Sequence, residues 1–230
     1  MTFATIEHAL EQLRSGRPVL VLDDEDRENE GDAILAAELA SPQWVGWMVR
    51  HTSGYLCAPM EDTRADRLGL PLMWPANTDP LRTRYTVSVD AATSTTGISS
   101  VERAATTRAL ADPRTTSADL IRPGHVLPLR ARDGGVLTRR GHTEAAVDLT
   151  RLAGLQAVGL IGEIVHDDGT CARTPDVLAL GQAEGLDVIT IEALANWRRS
   201  HEEQPPTTTS GSSTTRVSPT VSAQLPTRHG

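Results

Sequence analysis

Phe3, Ile6, Leu10 and Leu13 recur at helical spacing and Gly16 closes the pattern, which predicts an amphipathic helix over residues 3–15. Pro18 to Leu22 reads as a short buried strand, and Ala33 to Ala37 forms a second apolar run after a polar interval. Ser41-Pro42 opens a helix through His51, because Ser accepts from an unpaired first-turn N–H and Pro suits the first turn. Gly54 to Ala58 and the alternating Tyr85 to Val89 predict strands. The Thr/Ser run 93–96 leads through Gly97 to a helix with a Ser99-x-x-Glu102 capping box, ending near Asp112-Pro113. Further on, His125 to Arg130 reads as extended, Thr143 to Ala153 as a helix and Ala157 to Val165 as an apolar strand; helices at 174–181 and 191–200 flank a strand at 186–190. Strands and helices interleave without the regular beat of a doubly wound sheet, and no internal repeat occurs, so an α+β domain with a mixed sheet is expected.

From Gln204 to Gly230 the chain turns to Pro, Thr and Ser with few large apolar residues. Such a segment buries too little surface to offset its ordering entropy, so 204–230 is expected to be a disordered tail and 1–203 the domain. A formal charge of -8, with 30 acids against 22 bases, argues against a nucleic-acid binder. All the bases are Arg; the absence of Lys excludes Schiff-base aldolases, pyridoxal-phosphate enzymes and P-loop NTPases in their usual form. Carbonyl chemistry would have to use a metal instead. The two cysteines, Cys57 and Cys171, are too few for a Cys-rich zinc site or a disulfide framework and fit a reducing cytoplasm. The N-terminus lacks the plan of an export signal and no apolar run reaches membrane-spanning length, so a soluble, cytoplasmic protein is expected, with no membrane partner.

The sharpest chemical feature is Asp23-Asp24-Glu25-Asp26-Arg27-Glu28-Asn29-Glu30-Gly31-Asp32, acids crowded between two apolar runs. If extended, it places Glu28, Glu30 and Asp32 on one face, where they can share a divalent cation, with Arg27 projecting the other way. A solvated acidic loop is the plain alternative, but the flanking apolar runs bring these acids to a core edge, where unpartnered charge is costly. A calcium loop fails because its twelfth position is Ala37 and no helix precedes it.

Gly134-Gly135-Val136-Leu137-Thr138-Arg139-Arg140-Gly141-His142-Thr143-Glu144 is a glycine-bearing turn with two Arg running into a helix start. Unpaired N–H groups and a guanidinium there suit a phosphate, with His142 beside it as a possible metal ligand; a capped surface helix with solvated Arg is the alternative. Arg122-Pro123-Gly124-His125 presents an imidazole at a strand start, and Glu163 is a carboxylate within an apolar strand, where burial would raise its pKa and suit it to proton transfer. A solvent-facing Glu and a structural His are the alternatives.

DDEDRENEGD at 23–32, RHTSGYLC at 50–57, TTGIS at 95–99, RPGHVLPLRA at 122–131, GGVLTRRGHTEAAVDL at 134–149 and GEIVHDDGT at 162–170 together resemble, in order, the signature blocks of 3,4-dihydroxy-2-butanone-4-phosphate synthase. The resemblance implies a three-layer α+β sandwich with a mixed sheet, working as a homodimer with interfacial active sites. It implies conversion of D-ribulose 5-phosphate to formate and L-3,4-dihydroxy-2-butanone 4-phosphate in riboflavin biosynthesis, by enediol formation, dehydration, skeletal rearrangement and formate release. Two divalent cations per subunit, Mg²⁺ or Mn²⁺, would be held by Glu28 and His142, with no organic cofactor. Substrate contacts would fall on Arg27, Glu28, Asp32, Arg139, Arg140, Gly141, His142, Thr143 and Glu163, and the catalytic pair on His125 and Glu163. Thr96 and Cys57 match pocket-lining positions. Arg140 and Leu127 depart from the family pattern. Some members carry a C-terminal GTP cyclohydrolase II domain with zinc-binding cysteines; 204–230 has no Cys, so the resemblance is to the monofunctional form.

Overall fold

The computed structural model describes residues 3–202, so the tail expected at 204–230 lies outside the described residues. Strands β1 (Val19–Leu22), β2 (Gly31–Ala36), β3 (Cys57–Met60), β4 (Val89–Ala91), β5 (Leu120–Arg130), β6 (Gly159–Glu163) and β7 (Val188–Thr190) form one sheet in the order β4-β5-β3-β6-β2-β1-β7. The β1–β7 and β3–β5 pairs are parallel and the other neighbours antiparallel, giving the expected mixed sheet.

The helices are α1 (Ile6–Arg14), α2 (Pro42–His51), α3 (Asp62–Arg67), α4 (Ser100–Ala111), α5 (His142–Leu152), α6 (Thr174–Glu184) and α7 (Ile191–Glu202). Strand alternation divides the core into two halves. Leu20, Leu22, Ala33 and Leu35 face residues of α2, α4 and α6, whereas Val19, Val21, Ile34 and Ile161 face residues of α1, α5 and α7. Helices therefore cover both faces, and the architecture is the three-layer α+β sandwich.

Local chemistry explains most boundaries. The side chain of Ser41 accepts from Trp44 N at 3.1 Å, with Pro42 opening α2. Ser99 accepts from Glu102 N at 3.2 Å, but the Glu102 carboxylate accepts from the N–H groups of Thr95 and Gly97 instead of closing a box on Ser99. Three strands shift from expectation, β5 by starting at Leu120, so that His125 lies within it rather than at its start. The 54–56 stretch is a turn, in which Gly54 has φ +71° and donates to Thr52 Oγ1, so β3 starts only at Cys57. Tyr85 makes an isolated bridge to Leu129, and the ladder with β5 is built by Val89 to Ala91.

Register sets up the site. Cys57 pairs with Leu127 on one side and Ile161 on the other, and Asp32 pairs with both Glu163 and Val21. Counting two residues back from Leu127 and two on from Ile161 brings His125, Glu163, Asp32 and Val21 onto one row across the sheet, on the α5 face. Four distant segments thus deliver their side chains to one edge.

Candidate active site

α5 begins at His142, whose ring is buried against the sheet edge. Its Nε2 lies 3.1 Å from the carbonyl of Val21. A carbonyl only accepts, so Nε2 carries the proton and donates, which turns Nδ1 toward the carboxylates. Asp32 Oδ1 lies 3.5 Å and Glu28 Oε2 3.6 Å from Nδ1. Asp32 is 2% exposed, and its Oδ1 is buried without a hydrogen-bond partner. A buried carboxylate oxygen with no donor is costly, and a hard divalent cation satisfies it. The oxygen-rich donor set with one imidazole fits Mg²⁺ or Mn²⁺.

The charges here work on one another. Burial alone would lower the His142 pKa, but Asp32, Glu28 and Asp23 outweigh it and push the imidazole up to about 9. Burial raises Asp32 to about 8, aided by Glu163, Glu28 and Glu30 and opposed by His142. For Glu28, burial is overridden by His142 and by Arg27, which draw the carboxyl down to about 2. Without metal the cluster therefore holds protons that a cation can displace.

The acidic segment is a turn, which corrects the extended reading. Asp23 closes it: Oδ1 accepts from Glu30 N at 2.9 Å, while Oδ2 accepts from Glu28 N at 3.0 Å and from Arg27 Nη1 at 2.9 Å. Arg27 consequently lies on the same side as Glu28, with which it makes an ion pair. Glu30 leaves the cluster for Arg173, 3.9 Å away. Asp23 lies within ligand distance of Glu28 and His142, yet its oxygens are already committed to the loop. Its anchoring role was missed because it depends on which N–H groups the turn presents.

Gly141 precedes α5, and a Cβ there would sit 2.3 Å from Arg139 Nη1 and 3.0 Å from Arg27 Nη2. Two guanidinium groups and the unpaired N–H groups of a helix start therefore surround this glycine, an arrangement suited to phosphate. Thr143 lies buried in the first turn. Arg139 is already engaged, donating to Glu144 Oε2 at 2.6 Å, to Leu81 O at 3.0 Å and to Thr83 Oγ1 at 3.1 Å. Arg140 lines a cavity of about 430 Å³ with Asp23, Asp24, Asp26, Thr190 and Glu192.

Glu163 is half-buried, and its Oε2 accepts from Ser53 Oγ at 2.7 Å. His125 lies two strands away, about 10 Å by strand spacing. Its N–H donates to Asp90 Oδ1 at 2.9 Å, and its Nδ1 stands 2.7 Å from Asp90 Oδ2. Asp90 escaped the sequence reading because only the β4–β5 pairing brings it to His125. Gly97, with φ +80°, packs so closely here that a Cβ would lie 2.0 Å from Asp90 Oδ2. Thr96 is exposed in the same turn, and the buried Cys57 thiol is pushed well up by burial and by Glu163 and Asp32, which leaves it a packing residue.

A family model described as 3,4-dihydroxy-2-butanone 4-phosphate synthase matches residues 7–197. The chain belongs to that synthase family. It is 54% identical over 230 residues to the riboflavin biosynthesis protein RibBA of Salinispora arenicola, a match covering 100% of this chain and 52% of that protein. The chain spans about half the length of the curated relatives it matches. A solved synthase in complex with two magnesium ions has a TM-score of 0.82 and 44% identity, covering 87% of this chain and 99% of that one. The Candida albicans synthase has a TM-score of 0.80 and 47% identity, covering 86% and 99%. These synthases share the mixed-sheet α+β fold. Among the described residues, no helix is long and apolar enough to cross a membrane.

Proposed function

We propose that residues 7–197 convert D-ribulose 5-phosphate to L-3,4-dihydroxy-2-butanone 4-phosphate and formate, a step of riboflavin biosynthesis, with Mg²⁺ or Mn²⁺. The observation that carries this reading is the buried, partnerless oxygen of Asp32 beside His142 Nδ1 and Glu28, at the edge of a two-arginine cradle. Family membership and the names of the relatives support the same reaction.

Glu28 and His142 would hold the cations, with the partnerless Asp32 Oδ1 beside the same imidazole nitrogen. A divalent cation there supplies a Lewis acid for the carbonyl and hydroxyl oxygens of a sugar phosphate. The Gly141 cradle, with Arg27, Arg139 and the first-turn N–H groups up to Thr143, anchors the phosphate, and Asp32 orients the hydroxyl end. Glu163, one oxygen occupied by Ser53, keeps the other for accepting a proton next to the carbonyl during enediol formation. His125, with Nδ1 turned to Asp90, offers Nε2 for proton transfer in the later dehydration, skeletal shift and formate release. Tyr55, Ile98, Val101 and Ile121 are exposed apolar residues, with Ile98 next to the Gly97 turn at His125, which supports a homodimer whose second copy completes the site.

The test is purified protein with ribulose 5-phosphate and Mg²⁺, with and without EDTA, following formate. Metal-dependent formate is the expected result. Another pentose phosphate without formate would indicate an isomerase, and no turnover with any divalent metal would leave only a cation-binding module.

A further inference from the structure

The acidic turn that carries Glu28 is anchored from two sides. On the sheet side Asp23 holds the N–H groups of Glu28 and Glu30. On the outer side, Arg173 Nη1 donates to the carbonyl of Glu28 at 3.1 Å and also to the carbonyl of Asn29. Asn29 has φ +57°, a left-handed conformation uncommon outside glycine, and Arg173 thus grips the turn where its backbone reverses.

Arg173 is itself rigidly planted. Ala172 N donates to Ile164 O at 2.9 Å, and Cys171 bridges Val165, so the chain enters Arg173 from a hairpin tied to the end of β6. Arg173 N then donates to Asp176 Oδ2 at 3.0 Å as α6 begins. α6 packs tightly on the turn's exit, since a Cβ on Gly31 would lie 2.8 Å from Val177 Cγ2.

From this geometry we infer that Arg173 is a positioning residue for the metal site: by holding the carbonyls of Glu28 and Asn29, it fixes where the Glu28 carboxylate stands. This rests on the proposed role of Glu28 as a cation ligand. Arg173 touches neither Glu28's carboxylate nor His142, so it acts through the backbone. The sign of its effect separates positioning from simple electrostatics. A guanidinium near a cation site repels the cation, so removing it by charge alone would tighten binding; if it orders a ligand, removing it weakens binding.

The experiment is Mn²⁺ titration of the 230-residue chain, reading free Mn²⁺ by its electron paramagnetic resonance signal, with Glu28→Gln as reference. Wild type is expected to bind Mn²⁺ and Glu28→Gln to lose most of that binding. Arg173→Ala should raise the Mn²⁺ dissociation constant about tenfold, within the range for groups that orient metal ligands. Arg173→Lys should fall between, because its shorter side chain brings a single ammonium less far toward the two carbonyls that Nη1 reaches. The Mg²⁺ concentration for half-maximal formate release should shift in step, with kcat recovered at saturating metal. Unchanged or tighter Mn²⁺ binding in Arg173→Ala, or lower kcat at unchanged affinity, overturns the inference and leaves the proposed function standing. If Arg173→Ala fails to fold, Lys with wild-type affinity overturns it equally. Absence of Mn²⁺ binding by wild type overturns the metal reading itself, and the positioning role with it.

Discussion

Asp148 and Asp32 are both buried on the α5 side of the sheet, and they are treated in opposite ways. Asp148, fully buried on α5, accepts from Val136 N at 2.9 Å, from Arg151 at 2.9 Å and from Arg198 at 2.6 Å. Asp32, buried at the other end of the helix, leaves Oδ1 without a hydrogen-bond partner among the described residues, with the His142 ring 3.5 Å away. A charge satisfied on all sides belongs to the architecture, and one left wanting belongs to a ligand. The two are linked, since Asp148 holds the Gly135–Leu137 turn that leads into Arg139, Gly141 and His142. The satisfied carboxylate fixes the frame in which the unsatisfied one works.

The contrast is sharpest under matched substitution. Asp148→Asn removes a charge that two guanidinium groups address, and breaking such a buried pair costs about 3–5 kcal/mol of stability. Asp32→Asn removes a charge that burial already disfavours, so in EDTA its stability should equal or exceed wild type. Its formate production should nonetheless fall by more than about 100-fold, beyond the loss typical of groups that only orient metal ligands. Urea unfolding and formate assays on both variants check this. Equal destabilisation by the two substitutions would erase the distinction.

The architectural side of this contrast was the more legible in sequence. Ser41-Pro42 and the run from Thr143 to Gly154 marked α2 and α5 to within a residue, because capping and helical periodicity are local. The acidic block and the GHTE block announced chemistry by composition, and the structure brings Glu28, Asp32 and His142 together. What stayed hidden was pairing at a distance. Asp90 meets His125 only through the β4–β5 ladder, Ser53 reaches Glu163 across 110 residues, and Arg139 is drawn to Leu81 and Thr83. The acidic run itself was read as extended because alternation suggested it, whereas Asp23 folds it by accepting the turn's own N–H groups. α3, six residues long, is too short for a periodic signal.

A smaller effect tests whether the cradle beside Asp32 is built for an anion. Gly141 has φ -117°, which any residue adopts, so Gly141→Ala should fold. The new methyl would have to displace Arg139 Nη1, which is pinned by Glu144. Loss of one charge-assisted contact should raise the KM for ribulose 5-phosphate about tenfold or more. Mn²⁺ affinity should hold, because Glu28, Asp32 and His142 are untouched. An unchanged KM would move the phosphate away from this glycine.

The smallest effect is a pH dependence that only the unsatisfied region should show. His142 is raised from 6.5 to about 9, so its stabilising contribution is fully present below pH 6.5 and is lost as pH rises through 9. Asp32 is raised from 3.8 to about 8, so the folded state pays for its ionisation increasingly between those values. Glu28 runs the other way: lowered from 4.5 to about 2, it contributes above pH 4.5 and loses that contribution as pH falls through 2. In EDTA the Tm should therefore decline by a few degrees between pH 6.5 and 9. Mg²⁺ should flatten that decline, because a cation replaces the departing protons and binds more tightly as they leave. Asp32→Asn should remove part of the slope, while a conservative change on the distant α3 surface should leave it intact. A Tm in EDTA that stays level from pH 6.5 to 9 would mean that the carboxylates around His142 find partners other than a proton or a metal, and Asp32 would then join Asp148 as architecture.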